Sequence, residues 1–481
     1  MYLGTYCFAT LPKGGKKKMS EAEHSAAVPI TDTGPNVADR MERLPFSSFH
    51  RKFIGMVAAG EFVENLMLLG NGLVLAVVAK VLHFSPAVST FAVPVSFFFG
   101  EFVGSIVSGY IADRLGRKTV FLYDLLAFGI GMIIAGFTSS AALIALCVFI
   151  AGLGAGGEFP VVDTYTSEMM PGEARGRRVA SVYTIAIFGA PVIAVLVYAL
   201  SHPAPGPYSY RILFWIMGGA AIIVWIIRFR IPESPRWLEI RGRRAEADRL
   251  VSDIERQAML EHGLSELPPV RTSTQVDERA VRYRDIFARD LRGRMVMMLV
   301  FQFFNSGIFY GFASLAPLML EKKGISLVHT LAFSMIIYAG FFVGSFTNIF
   351  IIDRVERKWG LVGSLVAAGI FGTLFAVTTN VTATVVLGFL VAFALFHSSN
   401  FSHTYNAEIF PTRVRSTAAG TAYSVSRIST SILVPIITTM FLPHGLLATF
   451  GVIWLFVIVV AVDIGVFGPK TSQLRLEHIS K

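Results

Sequence analysis

The chain has 481 residues, 54% of them apolar and only 15% charged, with a formal charge of +10. Soluble domains carry nearer a quarter charged residues, and here the apolar residues fall in blocks close to the roughly 20 residues that span a bilayer as a helix, which excludes a soluble globular fold. Hydrocarbon offers backbone groups no partner, so the blocks are read as helices. Two cysteines, Cys7 and Cys147, make no disulfide framework. The basic residues flank the spans, so the positive charge signals orientation rather than nucleic-acid binding.

Residues 1–50 are polar, and the basic run Lys16–Lys18 is not followed by an apolar h-region. This segment reads as a cytoplasmic tail with no cleavable leader. Helices are predicted at 53–79, 88–112, 119–138, 141–166, 178–200 and 210–230, a six-helix bundle within 51–230. An Arg-rich segment, 231–293, separates them from spans at 294–320, 328–352, 360–378, 382–407, 416–439 and 444–467, a second bundle within 294–467. Residues 468–481 form a short tail. Alternate loops are basic: Arg114, Arg117 and Lys118; Arg175, Arg177 and Arg178; Arg354, Arg357 and Lys358; Arg413 and Arg415. The positive-inside rule therefore places both termini and the central segment in the cytoplasm of a multi-pass protein of the plasma (inner) membrane.

Two motifs recur 240 residues apart. Asp113-Arg114 with Arg117-Lys118 returns as Asp353-Arg354 with Arg357-Lys358, and Glu168, Pro171 and Arg175 return as Glu408, Pro411 and Arg415. They close spans 2 and 8, and spans 4 and 10, which implies a duplicated six-helix unit. Gly109-Tyr-Ile-Ala-Asp113-Arg-Leu-Gly116-Arg117-Lys118 resembles the signature loop of the major facilitator superfamily. Pro232-Glu-Ser-Pro-Arg-Trp-Leu238 resembles the marker of its sugar porters and their metabolite relatives. Gly154-Ala-Gly156-Gly157-Glu158 and Tyr405-Asn-Ala-Glu408-Ile-Phe-Pro411-Thr-Arg-Val-Arg415 fit the same group. The resemblance, over roughly residues 40–470, implies an all-α membrane protein of two pseudo-symmetric bundles. On the same ground, Asp113, Arg114, Arg117, Glu168 and Arg175, with Asp353, Arg357, Glu408 and Arg415, are candidates for cytoplasmic ion pairs that gate the fold. Glu356 stands where the first copy has Gly116.

An ionisable residue inside a span costs roughly 2.5–3.5 kcal/mol even on lenient scales and calls for a reason. Span 1 holds Glu61 and Glu64, span 4 Glu158 and Asp163, span 10 His397 and His403, and span 11 Arg427. The resemblance implies that helices 1, 4, 7 and 10 line the cavity. It also likens Gln302-Phe-Phe-Asn305-Ser-Gly-Ile-Phe-Tyr310 to a sugar-binding motif. Glu64, with Glu61, Glu158 and Asp163, is the candidate proton-coupling group. Relatives that import niacin or aromatic acids tend to carry an acid in helix 1. Arg427, able to fork onto a carboxylate, is the candidate substrate anchor, with Gln302, Asn305, Tyr310, His397 and Asn400 beside it. Val148 stands where many members of the superfamily have a helix 4 arginine.

No metal cluster, phosphate-cradling loop or nucleophile elbow is present in the sequence, which argues against an enzyme. The expectation is a proton-coupled symporter importing a small organic metabolite, an organic anion, by alternating access. It would act as a monomer in the lipid bilayer, with no cofactor beyond the proton gradient and no nucleic-acid partner. A sugar or polyol porter and a drug or metabolite exporter are the rival readings.

Overall fold

A computed structural model of the chain describes residues 37–85, 88, 93–171, 175–270, 283–313, 315–352, 354–410 and 415–471, and among these every regular element is helical. The first six spanning helices are α1 (Ser48–Leu82), α2 (Val93–Leu115), α3 (Arg117–Phe137), α4 (Ala141–Met169), α5 (Arg175–Ile187 continued by Gly189–Ser201) and α6 (Ser209–Arg228). The second six are α7 (Arg292–Ala313, then Ala316–Lys322), α8 (Leu327–Ile351), α9 (Arg357–Val377), α10 (Val381–Ile409), α11 (Arg415–Ile436) and α12 (Leu446–Val462). Eleven described helices are long and apolar enough to cross a membrane. The twelfth, α2, runs 23 residues around an apolar stretch at Val95–Ser108. The breaks have local causes. Pro191 lacks an N–H and crowds the carbonyl four residues back, which interrupts α5 after Ile187. Pro435 precedes the π-turn that ends α11.

The packing repeats as the sequence does. In the first six helices α2 packs on α4, α3 on α4 and α6, and α1 on α5 and α6. In the second six, α8 packs on α10, α9 on α10 and α12, and α7 on α11 and α12. The two sets meet through α2 against α11 and α5 against α8, which is again symmetric. Small residues set the closest approaches. A Cβ on Gly100 would lie 2.3 Å from the Phe149 carbonyl oxygen, and one on Gly104 would lie 2.1 Å from that of Leu153. Gly340 and Gly344, both 240 residues on, stand 2.4 Å from the Phe389 and Phe393 oxygens by the same measure. With lipid as apolar as the helices themselves, this backbone-close packing supplies much of the association.

The loop clamps also repeat. Arg117 Nη2 lies 3.6 Å from Glu168 Oε1, and Arg357 Nε lies 3.4 Å from Glu408 Oε1. Lys118 Nζ donates to the Phe229 carbonyl at the end of α6, as Lys358 Nζ does to Gly465 and Gly468 at the end of α12. Tyr165 and Tyr405 each donate to the carbonyl of a proline beyond those helices, Pro232 and Pro469. One exchange breaks the symmetry. In the first copy, Glu233 Oε1 accepts from the backbone N–H of Arg117, Lys118 and Ser234. Gly116, at φ 103°, leaves room for it, since a Cβ there would sit 2.1 Å from Glu233 Oε2. In the second copy Glu356 occupies the glycine's place and its own carboxylate accepts the Thr471 N–H at 3.0 Å. Thus Glu168 pairs with Arg117 and Glu408 with Arg357. Asp353 and the side chains of Asp113, Asp163, Arg175 and Arg415 lie outside the described residues, as do residues 1–36.

At about 1.5 Å per residue the 35 residues of α1 exceed the ~30 Å hydrocarbon core. Its first turns meet the helix Arg244–His262 of the central segment. Arg51 Nη2 reaches Glu261 Oε1 at 2.5 Å, and the Ser48 N–H donates to Glu261 Oε2 at 2.6 Å. Arg40 and Arg43, just before α1, converge on Glu255 at 2.7 and 2.8 Å. Burial works against charge on Glu255, but the hydrogen bonds from Arg40 and Arg43 outweigh it and hold the carboxyl below its usual range. The Ser48 N–H and hydroxyl, then Arg51, hold Glu261 down at about 2 against an ordinary 4.5. A depressed folded-state value means the contact contributes fully above about pH 4.5 and is lost as pH falls toward 2. Amide protection factors of helix Arg244–His262, exchange rates corrected for the intrinsic rate at each pH, should therefore fall through that window. Glu261→Gln should show the faster exchange already at neutral pH.

Candidate functional site

Side chains from α1, α4, α5, α7, α10 and α11 surround a cavity of about 80 Å³ near the middle of the helices. Asn65 of α1, Gln302, Asn305 and Tyr310 of α7, Asn400 and His403 of α10, and Tyr423 and Arg427 of α11 supply its polar lining. The repeat brings matched positions here: Asn65 and Asn305, and Tyr183 and Tyr423, each 240 residues apart, all line the cavity. Arg427 is the departure, since its counterpart at that offset is Ile187, which also lines the cavity. Aromatic contacts between the halves flank the space: Phe159 with Tyr423 at 5.4 Å, Tyr183 stacked on His403 at 4.6 Å, and Phe98 against Tyr310 at 5.1 Å.

Arg427 is 1% exposed and held on several sides. Nη1 donates to the Tyr310 hydroxyl at 2.5 Å and Nη2 to that of Tyr423 at 3.2 Å. The rings of Tyr423 and Phe159 face the guanidinium at 4.7 and 5.0 Å. Its ion-pair partner is Glu101 of α2, at 3.6 Å, across the boundary between the halves. Nε has no hydrogen-bond partner among the described residues. Arg427 thus brings a buried guanidinium of fixed orientation to the cavity lining, the group that pairs with a carboxylate.

The first half holds a second buried charge group, none of whose members lines the cavity. Arg228, the last residue of α6, makes two hydrogen bonds to Glu158, one of them Nη1 to Oε2 at 3.0 Å. It also donates to the Met56, Val57 and Phe121 carbonyls and lies 3.5 Å from the centroid of the Phe121 ring. Glu61 and Glu64 of α1 are fully buried near this pair, and neither oxygen of Glu64 finds a hydrogen bond among the described residues. A buried carboxylate without a partner is costly as an anion. Asp124 of α3 accepts from Ser108 at 3.0 Å and completes the group.

Among the sequence-predicted residues, Arg427, Gln302, Asn305, Tyr310 and Asn400 come together at the cavity. Asn400 also donates to Ser345 of α8 at 3.2 Å. His397 lies elsewhere, bonded to Thr347 and Asn348 of α8 at 3.0 and 2.9 Å. Glu61, Glu64 and Glu158 gather around Arg228 instead of lining the cavity. Sequence reasoning passed over Glu101, Asp124 and Arg228. The signal was present, since Glu101 and Asp124 sit inside predicted spans; Arg228, near a predicted helix end, resembled an ordinary flanking cation.

A family model described as "Sugar (and other) transporter" matches residues 45–481. The chain is 29% identical to the niacin transporter NiaP of Acinetobacter baylyi, over 92% of this chain and 99% of the relative. It is likewise 29% identical to the putative metabolite transport protein YyaJ of Bacillus subtilis, over 92% and 97%. A structure of the proton:xylose symporter XylE superposes with TM-score 0.69 at 18% identity, covering 90% of this chain and 98% of that one. A partially occluded inward-open form of XylE from E. coli gives 0.70, covering 89% and 100%. These likenesses establish the twelve-helix major facilitator fold.

Breaking a buried pair from one side leaves an uncompensated charge, at a cost of about 3–5 kcal/mol. Arg228→Met should therefore lower the melting temperature in detergent sharply. Adding Glu158→Gln should recover most of the loss, and two additive losses would show that the residues do not act as a pair.

Proposed function

This chain belongs to the sugar (and other) transporter family, and from that premise we propose that it is a proton-coupled symporter that imports a small organic anion by alternating access. As a member of that family it is a multi-pass membrane transporter and not an enzyme. The observation that carries the substrate reading is Arg427: a buried guanidinium in the cavity lining, oriented by Tyr310 and Tyr423. On this reading Gln302, Asn305 and Asn400 hydrogen-bond the rest of the substrate, while Phe159, Tyr183 and Tyr423 stack on an apolar or aromatic ring. A cavity of about 80 Å³ has room for several waters' worth of ligand, which favours a single-ring metabolite over a bulky drug. The relative named as a niacin transporter makes a pyridine carboxylate the first candidate.

The driving proton is assigned to the buried acids of the first half, Glu64 with Glu61, beside the Glu158–Arg228 pair. Residues 51–230 and 294–467 are the two rocking bundles and 231–293 is the cytoplasmic linker, with both termini cytoplasmic in the inner membrane. The ion pairs Arg117–Glu168 and Arg357–Glu408 brace the cytoplasmic loops. A sugar or polyol porter is the second reading, favoured by the amides on α7 and by the fold shared with a xylose symporter.

Two measurements separate these readings. Arg427→Gln should weaken nicotinate binding to purified protein by more than about thirtyfold, as removing one member of a buried charge contact does. It should change the affinity for neutral nicotinamide or a pentose by less than threefold. In proteoliposomes an inward proton gradient should drive nicotinate accumulation, and Glu64→Gln should sharply lower the accumulation ratio reached at a given gradient.

A further inference from the structure

Glu101 stands on α2 at the seam between the halves. It is fully buried, and the backbone of α4 comes so close that a Cβ on Gly156 would lie 2.1 Å from the Glu101 carbonyl oxygen. Neither of its carboxylate oxygens accepts a hydrogen bond among the described residues, and its ion-pair partner is Arg427, at 3.6 Å. Arg427 lines the cavity, whereas Glu101 does not. The charged and titratable groups around the pair are Tyr310 of α7, Tyr423 of α11 and His403 of α10. On the helices packed against α2 the other acids with described side chains are Glu61 and Glu64 of α1, Asp124 of α3 held by Ser108, and, on α4, Glu158 held by Arg228 and Glu168 held by Arg117. Arg427 is therefore the guanidinium within reach of both Glu101 and a ligand in the cavity.

Charge conservation in a buried space follows from this arrangement. Empty, the pair is neutral, with one carboxylate and one guanidinium. A carboxylate ligand on Arg427 would place two anions on one buried cation, a state that like-charge repulsion and desolvation oppose. Neutrality returns when one proton from bulk water bonds to a Glu101 oxygen: the Glu101–Arg427 pair opens, and the ligand carboxylate takes its place on Arg427.

We propose that Glu101 is the proton acceptor that links anion binding to proton binding, so that a carboxylate substrate enters with one proton and displaces Glu101 from Arg427. This rests on the carboxylate reading above and adds to it a residue at the substrate itself. It also gives the two acid groups separate work. Glu101 sets whether an anion can bind, and Glu64 belongs to the group that carries the gradient across the transport cycle. Because Glu101 and Arg427 lie on α2 and α11, breaking their pair also loosens one of the two main helix contacts that join the bundles.

Nicotinate binding to the purified full-length protein, followed by titration calorimetry in two buffers of different ionisation heat, tests this. The wild type should take up about one proton per nicotinate, with affinity weakening about tenfold per pH unit on the alkaline side. Glu101→Gln should take up none and bind with pH-independent affinity, while Glu64→Gln should keep the uptake. Retention of the uptake by Glu101→Gln, or binding to the wild type without it, overturns the proposal and leaves the anion reading standing. Failure of the wild type to bind nicotinate or benzoate at all sinks the anion reading and this proposal with it. Should Glu101→Gln fail to fold, Glu101→Asp keeps the charge on a shorter arm. It should retain the uptake with a shifted pH midpoint, and an unmoved midpoint overturns the assignment.

Discussion

Hydrocarbon solvates neither a peptide group nor a charge, and most of this structure follows from that single constraint. It makes the spans helical, because only a helix satisfies its own backbone. It removes the ordinary hydrophobic drive between helices, so α2 and α4, like α8 and α10, associate through glycines that let backbones touch. It also makes each buried charge seek a partner: Arg228 finds Glu158 and backbone carbonyls, and Arg427 finds Glu101 and two tyrosine hydroxyls.

The two charge groups have different characters. The Glu158–Arg228 pair lies within one half, doubly bonded and stacked on Phe121, and its partners all belong to that half. The Glu101–Arg427 pair joins the halves, has no direct hydrogen bond among the described residues, and borders the cavity. A tight pair within a rigid body stabilises that body. A looser one across a moving seam changes energy whenever the seam moves, and is therefore where a ligand can act on the conformation.

Much of this was legible in the sequence. Hydropathy marked the spans closely: α4, expected at 141–166, runs Ala141–Met169, and α10, expected at 382–407, runs Val381–Ile409. The 240-residue offset, first seen in two loop motifs, reaches down to glycine contacts and cavity-lining pairs. What stayed hidden were the pairings. Glu158 was read as a coupling acid because nothing in the chain connects it to Arg228, 70 residues away. The acid that pairs with Arg427 was equally hidden: it comes from α2, because α11 packs there across the seam. His397 shows the converse, since a polar residue on a cavity helix can turn to the neighbouring helix. Periodicity locates a residue on a helix, but the rotation that decides which neighbour it meets is set by packing.

The carboxylate at the start of α3 and its counterpart at the start of α9 reach similar places by different routes, one from a loop residue behind a glycine and one from the helix cap itself. Aligned half against half, with Pro232 set against Pro469, these positions look like two unrelated mismatches, Gly116 against Glu356 and Glu233 against Lys470. Physically they are one compensated exchange. The halves are therefore not interchangeable in small pieces. Grafting the Gly116 loop in place of the Glu356 loop would strip that junction of Glu356, the carboxylate that receives the Thr471 N–H. The reverse graft would crowd two carboxylates against one helix end. Chimeras of such duplicated transporters have to exchange the loop and the segment after the last helix of the half together, as a single inherited unit.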